Sequence, residues 1–166
     1  SACQNKESRW RGKISKTDII DTTGFEICRS RRVVNRGHGE KDCQRYNKDG
    51  EIFAYEGAAG FFRKAALEES TVDKNIFDED FKWMVDDLDL GWRLTLFGWK
   101  NYYAHSVICY HDRKTTKRLS ASRWDFIKQR RDVPSLKRRL DYRNIHLTFI
   151  KNEIALLLIE DFWYIL

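Results

Sequence analysis

The stretch that decides the fold runs from Phe77 to His111: FDEDFKWMVDDLDLGWRLTLFGWKNYYAHSVICYH. Six acidic residues fall within twelve positions at its start, in a chain whose formal net charge is +6: Asp78, Glu79, Asp80, Asp86, Asp87 and Asp89. Like charges this close repel one another, so a fold tolerates them mainly where they bind a cation, accept a proton or face water. We call residues 78–89 the acidic segment and expect a functional site there.

The middle of this stretch predicts a helix from Asp86 to Phe97. Leu90, Leu94 and Phe97 lie on one face of a 3.6-residue period. The aspartates of the first turn suit a helix N-terminus, and Gly98 suits its end. The rest of the pattern predicts strands at 22–28 and 51–55, a long loop at 35–49, a tight turn at 57–60, a helix at 61–69, a buried strand at 101–110 and an apolar helical tail at 145–166.

Composition sets the class of protein. The chain has 166 residues, 42% of them hydrophobic, which is enough for one domain, or one domain plus an extension, with a real core. Its four cysteines form no C-x-x-C pair, so zinc-knuckle spacing is absent, and we expect reduced thiols. No apolar run approaches the roughly 20 residues that a spanning helix needs.

Residues alone leave three interpretations of the acidic segment open. The carboxylates can simply be solvated at a helix N-terminus. An Asp-x-Asp pair, at Asp78 and Asp80 or at Asp87 and Asp89, can bind Mg²⁺ or Mn²⁺ together with His111. Finally, one carboxylate at the start of the helix can act as a general base toward an incoming hydroxyl.

A basic segment follows at residues 113–143. Twelve Lys and Arg residues against three Asp give it a net charge of +9, more than that of the whole chain. An apolar stretch with Trp163 and Tyr164 comes after it. Because each cation near an anionic lipid surface contributes about 1 kcal/mol, we expect peripheral membrane contact. The charge also permits nucleic-acid binding, but no nucleic-acid-binding motif supports it, and we expect none.

Several ordered motifs together resemble the family 2 glycosyltransferases of the bacterial cell-surface, rhamnosyltransferase-like type. The main ones are GAAGFFRKAALEES at 57–70, FDEDF at 77–81 and VDDLDLGWRLTLFGWKNYYAHSVICYH at 85–111. The resemblance extends from about Lys13 to Asn152, through Ile20–Gly24, Arg36–Glu40, Arg143-Asn144 and Lys151-Asn152.

The resemblance implies a partial glycosyltransferase-A fold, an α/β and Rossmann-like arrangement, followed by a basic and mainly helical extension. The division would fall between residues 1–112, the acceptor-side half, and 113–166. The family transfers a sugar from a nucleotide-sugar donor to a cell-surface glycan or lipid-linked acceptor. In its inverting members an Asp deprotonates the acceptor hydroxyl, and that residue corresponds to Asp87.

The resemblance also assigns the residues around this base. Gly57, Ala58, Ala59, Asp86, Trp92 and Arg93 would form the acceptor side, and His111 stands where some relatives place a metal ligand. Asp86 replaces the family's usual Glu.

In the family that this chain resembles, the donor Asp-x-Asp follows an apolar strand in the first half of the fold. No such strand precedes an Asp-x-Asp here, so the resemblance implies that the donor site is missing. We therefore expect the second half of a transferase domain, inactive alone, with Mg²⁺ or Mn²⁺ bound mainly by residues outside the chain. The expected location is the cytoplasmic face of the cell membrane. The alternative is a non-catalytic basic module that binds anionic lipid or nucleic acid.

Overall fold

A computed structural model of the chain describes residues 2–7, 15–111 and 133–165, with the backbone alone at 2–7 and at Ser15. The described strands are β1 (Ala2–Glu7), β2 (Ser15–Thr22), β3 (Phe25–Ile27), β4 (Val33–Asn35), β5 (Gly50–Ile52), β6 (Asn101–Tyr103) and β7 (Ile108–His111). The described α-helices are α1 (Lys64–Glu69), α2 (Asp86–Leu96), α3 (Ser135–Asn152), α4 (Ala155–Glu160) and α5 (Phe162–Ile165).

The strands pair in small sheets. β1 lies at the centre of a three-stranded sheet, antiparallel to β2 and parallel to β7. β3 pairs antiparallel with β4, and β5 pairs antiparallel with β6. A bridge between Phe25 and Ala54 links the second sheet to the segment after β5. The architecture is therefore mixed α/β with small sheets.

Helix α2 organises the core. Its Leu90 and Leu94 are buried against Ala66 of α1. A Cβ on Gly91 would stand 2.5 Å from the Cβ of Ala54, so only glycine lets α2 approach the chain this closely. Apolar burial at this contact is the main force that fixes α2 in the fold.

The predicted helix at Asp86–Phe97 is confirmed: α2 spans Asp86–Leu96, Phe97 ends it, and Gly98 follows with φ of 84°. The predicted strand at 101–110 is wrong as one element, because β6 and β7 belong to different sheets. A turn separates them, in which the Val107 N–H donates to the Ala104 carbonyl at 3.2 Å.

Other predicted boundaries shift. The strand predicted at 22–28 is interrupted at Gly24, whose φ is 111°. The strand predicted at 51–55 is β5, Gly50–Ile52, and the helix predicted at 61–69 begins only at Lys64.

The C-terminal part begins, within the described residues, with α3, which packs along α2. Eight of the twelve cations of the basic segment, those at positions 113–131, lie outside the described residues. The tail predicted at 145–166 is confirmed as helical, but α3, α4 and α5 divide it. Among the described residues, no helix has the length and apolar character that crossing a bilayer requires.

Candidate active site

Asp87 lies in the first turn of α2 and faces the turn that follows β5. Its Oδ2 accepts a hydrogen bond from the Gly57 N–H at 2.8 Å, and its Oδ1 accepts one from the Leu88 N–H at 2.8 Å. A Cβ on Gly57 would come within 3.3 Å of the Asp87 carboxylate. The glycine thus lets a backbone N–H reach the carboxylate closely, and the two residues form one unit.

A cleft of about 560 Å³ opens beside this unit. Gly57 and Asp86, which the resemblance assigned to the acceptor side, line it together with Asp87. Its other walls are mainly apolar and aromatic: Phe25, Val33, Asn35, Tyr55, Glu56, Gly60, Phe62, Phe77, Trp83, Met84, Val85, Leu88, Asp141 and Ile145. Polar groups in a mostly apolar cleft are typical of small-molecule sites.

A second cleft of about 440 Å³ shares Tyr55, Glu56, Gly60 and Phe62 with the first. Ala59 lines this second cleft instead of the first. Ala58 lies beside them, with its N–H donating to the Glu56 side chain at 3.1 Å. The predicted Gly-Ala turn therefore separates two clefts.

The electrostatics single out Asp87. Burial, together with the negative charges of Glu56 and Asp86, raises the pKa of this carboxyl to about 6, although the hydrogen bonds from the N–H groups of Gly57 and Leu88 oppose the rise. A carboxyl with this pKa is ionised at neutral pH yet is a stronger proton acceptor than an ordinary aspartate. It has the properties of a general base.

Trp92 and Arg93, predicted as acceptor-side residues, do not line the Asp87 cleft. At about 100° per residue, they project roughly 140° and 120° away from Asp87 around α2. The Trp92 ring packs edge-to-face between Phe53 and Phe149, at 5.1 and 5.2 Å.

Arg93 is buried and lies in an ion pair. Its Nε donates to Asp89 Oδ2 at 2.8 Å, and its other nitrogens donate to the carbonyls of Ser70 and Ile76. Asp89 also accepts a hydrogen bond from the Asn152 side chain at 2.7 Å. These contacts fix α2 in place from its interior side.

The Asp-x-Asp interpretation of a metal site does not fit the geometry. Asp78 and Asp80 both bind the ammonium group of Lys151, which lies 2.7 Å from Asp80 Oδ2. Burial alone would raise the pKa of Asp78, but Lys151 and the Asp80 N–H lower it below its usual value. Asp89 is likewise engaged, by Arg93.

His111 lies in a different cluster. Its Nδ1 is 2.8 Å from Oδ2 of the fully buried Asp21, and one donor atom each from Asp21, Glu56 and His111 lie within 4.8 Å of one another. One imidazole nitrogen and two carboxylate oxygens form a donor set that suits Mn²⁺. Glu56 adjoins Gly57, so this cluster borders the Asp87 unit.

Sequence reasoning missed three residues of this region. Asp21 was noted within a motif but given no role, and Glu56 was not singled out. Tyr55 is the third: its buried hydroxyl has no hydrogen-bond partner among the described residues. Burial and then the charge of Asp87 raise the pKa of this hydroxyl. Neither Tyr55 nor Glu56 stands in a local pattern that marks function, whereas the motif at Ile20–Gly24 contains Asp21.

Comparison with family models, with curated proteins and with solved structures finds no match for this chain.

Proposed function

We propose that the chain is the acceptor-side part of an inverting glycosyltransferase of family 2 with a glycosyltransferase-A fold, and that Asp87 is its general base. The observation that carries the proposal is the Asp87 carboxylate itself, held by the Gly57 N–H at the edge of a cleft, with its pKa at about 6. A sugar hydroxyl is a poor nucleophile near neutral pH. A positioned base of this kind accelerates its attack by roughly 10²–10⁴-fold.

The charge of the cleft agrees with an acceptor site. Among the described residues that line it, the carboxylic acids are Glu56, Asp86, Asp87 and Asp141, and no Lys or Arg is present. Such walls suit a neutral sugar, and they repel a diphosphate. The nucleotide-sugar donor would therefore be held elsewhere, by residues outside this chain, and the chain alone would not turn over.

Asp21, Glu56 and His111 would contribute to a site for a divalent cation, Mn²⁺ or Mg²⁺, with further ligands outside the chain. The ion would neutralise charge on the departing nucleoside diphosphate. Mn²⁺ binding can be measured by electron paramagnetic resonance. We expect Mn²⁺ to bind the wild-type chain, and to bind the His111→Ala variant at least tenfold more weakly. The matched control is His105→Ala, an exposed histidine beside Asp49. Equal loss in both variants contradicts the assignment.

The test of the base is Asp87→Asn in the intact enzyme, with Asp86→Asn as the neighbouring control. We expect Asp87→Asn to lower kcat by about 10²–10⁴-fold and to leave donor binding unchanged. The wild-type rate should rise with pH through an apparent pKa of about 6. Turnover of Asp87→Asn near the wild-type level would exclude the base role.

We also propose a place for the enzyme at the cytoplasmic face of the cell membrane, on anionic lipid. Leu156, Ile159 and Trp163 of α4 and α5 are 63%, 71% and 83% exposed. Arg29 and Arg31, beside β3 and β4, hold Asp161 between these two helices at 2.7 Å. The helices are thus fixed with apolar side chains outward, as an interfacial anchor requires.

Vesicle sedimentation tests this placement. We expect the pair Ile159→Ser and Trp163→Ser to reduce binding to vesicles containing phosphatidylserine by at least tenfold. Tyr102→Ser is the control, since this aromatic ring is 62% exposed but lies on β6. Unchanged sedimentation of the double variant, or equal loss in the control, refutes the anchor. Binding that follows added DNA instead of lipid would favour the basic-module alternative.

A further inference from the structure

The turn that leads into α2 has an unusual backbone. Lys82, Met84 and Val85 have positive φ angles of 58°, 72° and 70°. Residues with a Cβ are disfavoured in this left-handed region, most of all β-branched residues such as valine. The turn directly precedes Asp86 and Asp87, so its conformation sets where the first turn of α2 begins.

Asn144 of α3 holds this turn. Its side-chain Nδ2 lies within hydrogen-bond distance of three carbonyl oxygens, those of Phe81 at 2.8 Å, Trp83 at 2.9 Å and Met84 at 2.8 Å. The residue is fully buried. The two N–H bonds of one amide group are therefore shared among three carbonyls of the left-handed turn, in contacts that are buried at Phe81 and partly buried at Trp83 and Met84.

The neighbours of Asn144 on α3 engage both ends of the acidic segment. Upstream, Lys151 binds the carboxylates of Asp78 and Asp80. Downstream, the Asn152 side chain donates to Asp89 Oδ1 at 2.7 Å. With both ends fixed, the turn between them has little freedom, and Asn144 acts on its middle.

We infer that Asn144 is the positioning residue of the Asp87 site: its amide keeps the 82–85 turn left-handed and so places the Asp87 carboxylate against the Gly57 N–H. Without the amide, the three positive φ angles lose their compensation, and the turn relaxes toward ordinary backbone angles. The start of α2 then rotates, and the contact of 2.8 Å between Gly57 and Asp87 is lost. The catalytic consequence rests on the proposed function, but the geometry does not.

Hydrogen exchange distinguishes a positioning role for Asn144 from a role in which the residue only stabilises the core. The Gly57 N–H reports the position of Asp87 directly, and the N–H of Leu94, in the middle of α2, reports global opening. We expect Asn144→Ala to accelerate exchange at Gly57 at least tenfold relative to Leu94. The matched control is Asn152→Ala, which removes another buried amide from α3 that donates to Asp89 and to the Thr148 carbonyl, outside the turn. In Asn152→Ala, the ratio of the exchange rate at Gly57 to that at Leu94 should stay within about twofold of the wild-type ratio.

If Asn144→Ala does not fold, Asn144→Asp takes its place. Its protonated carboxyl keeps the size of the side chain and one donor, so at mildly acidic pH it should give an intermediate acceleration at Gly57. A Gly57-to-Leu94 ratio unchanged from wild type in the variant that folds, or changed equally in Asn152→Ala, overturns the inference. Hydrogen exchange at Gly57 and Leu94 can be measured whether or not the chain is catalytically active. A failure of the proposed function is therefore distinguishable from a failure of this inference. In the intact enzyme, Asn144→Ala should lower kcat with little change in the KM for the donor.

Discussion

Replacing Asp87 with Asn should make the protein more stable at neutral pH. The wild-type Asp87 side chain is half-buried beside Glu56 and Asp86, and its pKa rises from 3.8 to about 6. A raised pKa in an acid means that the folded protein holds the proton more tightly than the unfolded chain does. The ionised side chain therefore opposes folding, and an amide of the same shape avoids this cost.

The magnitude follows from the two pKa values. Between about pH 4 and pH 6 the folded state binds more protons than the unfolded state, so the free energy of unfolding falls as pH rises. At 1.36 kcal/mol per pH unit, the total loss is about 3 kcal/mol, which partial hydration of the carboxyl reduces to about 2–3 kcal/mol. Below pH 4 both side chains are neutral, but an amide nitrogen cannot accept a hydrogen bond, so Asp87→Asn loses one of the two N–H contacts and should be about 1 kcal/mol less stable than wild type. The stability of Asp87→Asn relative to wild type should then rise by about 2–3 kcal/mol between pH 4 and pH 7, to a net gain of about 1–2 kcal/mol.

Urea unfolding, followed by tryptophan fluorescence from pH 3.5 to 7.5, measures this difference. The control is Asp86→Asn, which removes a carboxylate from the same first turn of α2. Since acids near a helix N-terminus are favourable by about 0.3–1 kcal/mol, that variant should be slightly less stable than wild type at pH 7, the opposite sign. A stability difference between Asp87→Asn and wild type that does not vary with pH would refute the reasoning.

Two further substitutions test how α2 is held. Gly91→Ala should destabilise the fold by about 1–2 kcal/mol in urea unfolding, because the new Cβ meets Ala54 at 2.5 Å and overpacking outweighs the gain in helix propensity. The control is Gly50→Ala, which should be near neutral because a Cβ at that position has no heavy atom within 4 Å. Equal losses of stability in the two variants would contradict the packing argument. Arg93→Met should cost about 3–5 kcal/mol, since it leaves Asp89 buried without its cation, and a loss under about 1 kcal/mol would show that Asp89 is not dependent on it.

The sequence predicted α2 well because every signal for it is local. Leu90 and Leu94 follow the helical period, the aspartates occupy its first turn, and Gly98 follows its last residue. By contrast, the break between β6 and β7 depends on a distant residue. The Asp49 carboxylate accepts a hydrogen bond from the backbone N–H of His105, with 2.8 Å between the nitrogen and the Asp49 Oδ1. No pattern within residues 101–110 contains that information.

The candidate site divides in the same way. Asp87 and Gly57 were singled out because the motifs that carry them keep their order and spacing, and the structure joins the two residues by a hydrogen bond. Asp21 and Glu56 were missed because chain folding alone brings them to His111. Trp92 was misplaced because motif matching ignores the helix: neighbours of Asp87 in sequence project in other directions around α2.

The acidic segment is explained by how its charges are distributed. Asp78 and Asp80 share Lys151, and Asp89 is paired with Arg93, so each of these three carboxylates lies in a salt bridge. Within the described residues no cation pairs with Asp87, which has only two backbone N–H groups as donors. Because α3 supplies Lys151, the predicted extension at residues 113–166 contributes a cation to the acidic segment. The arrangement pairs Asp78, Asp80 and Asp89 with cations, whereas Asp86 and Asp87 line the cleft, where burial raises the pKa of Asp87.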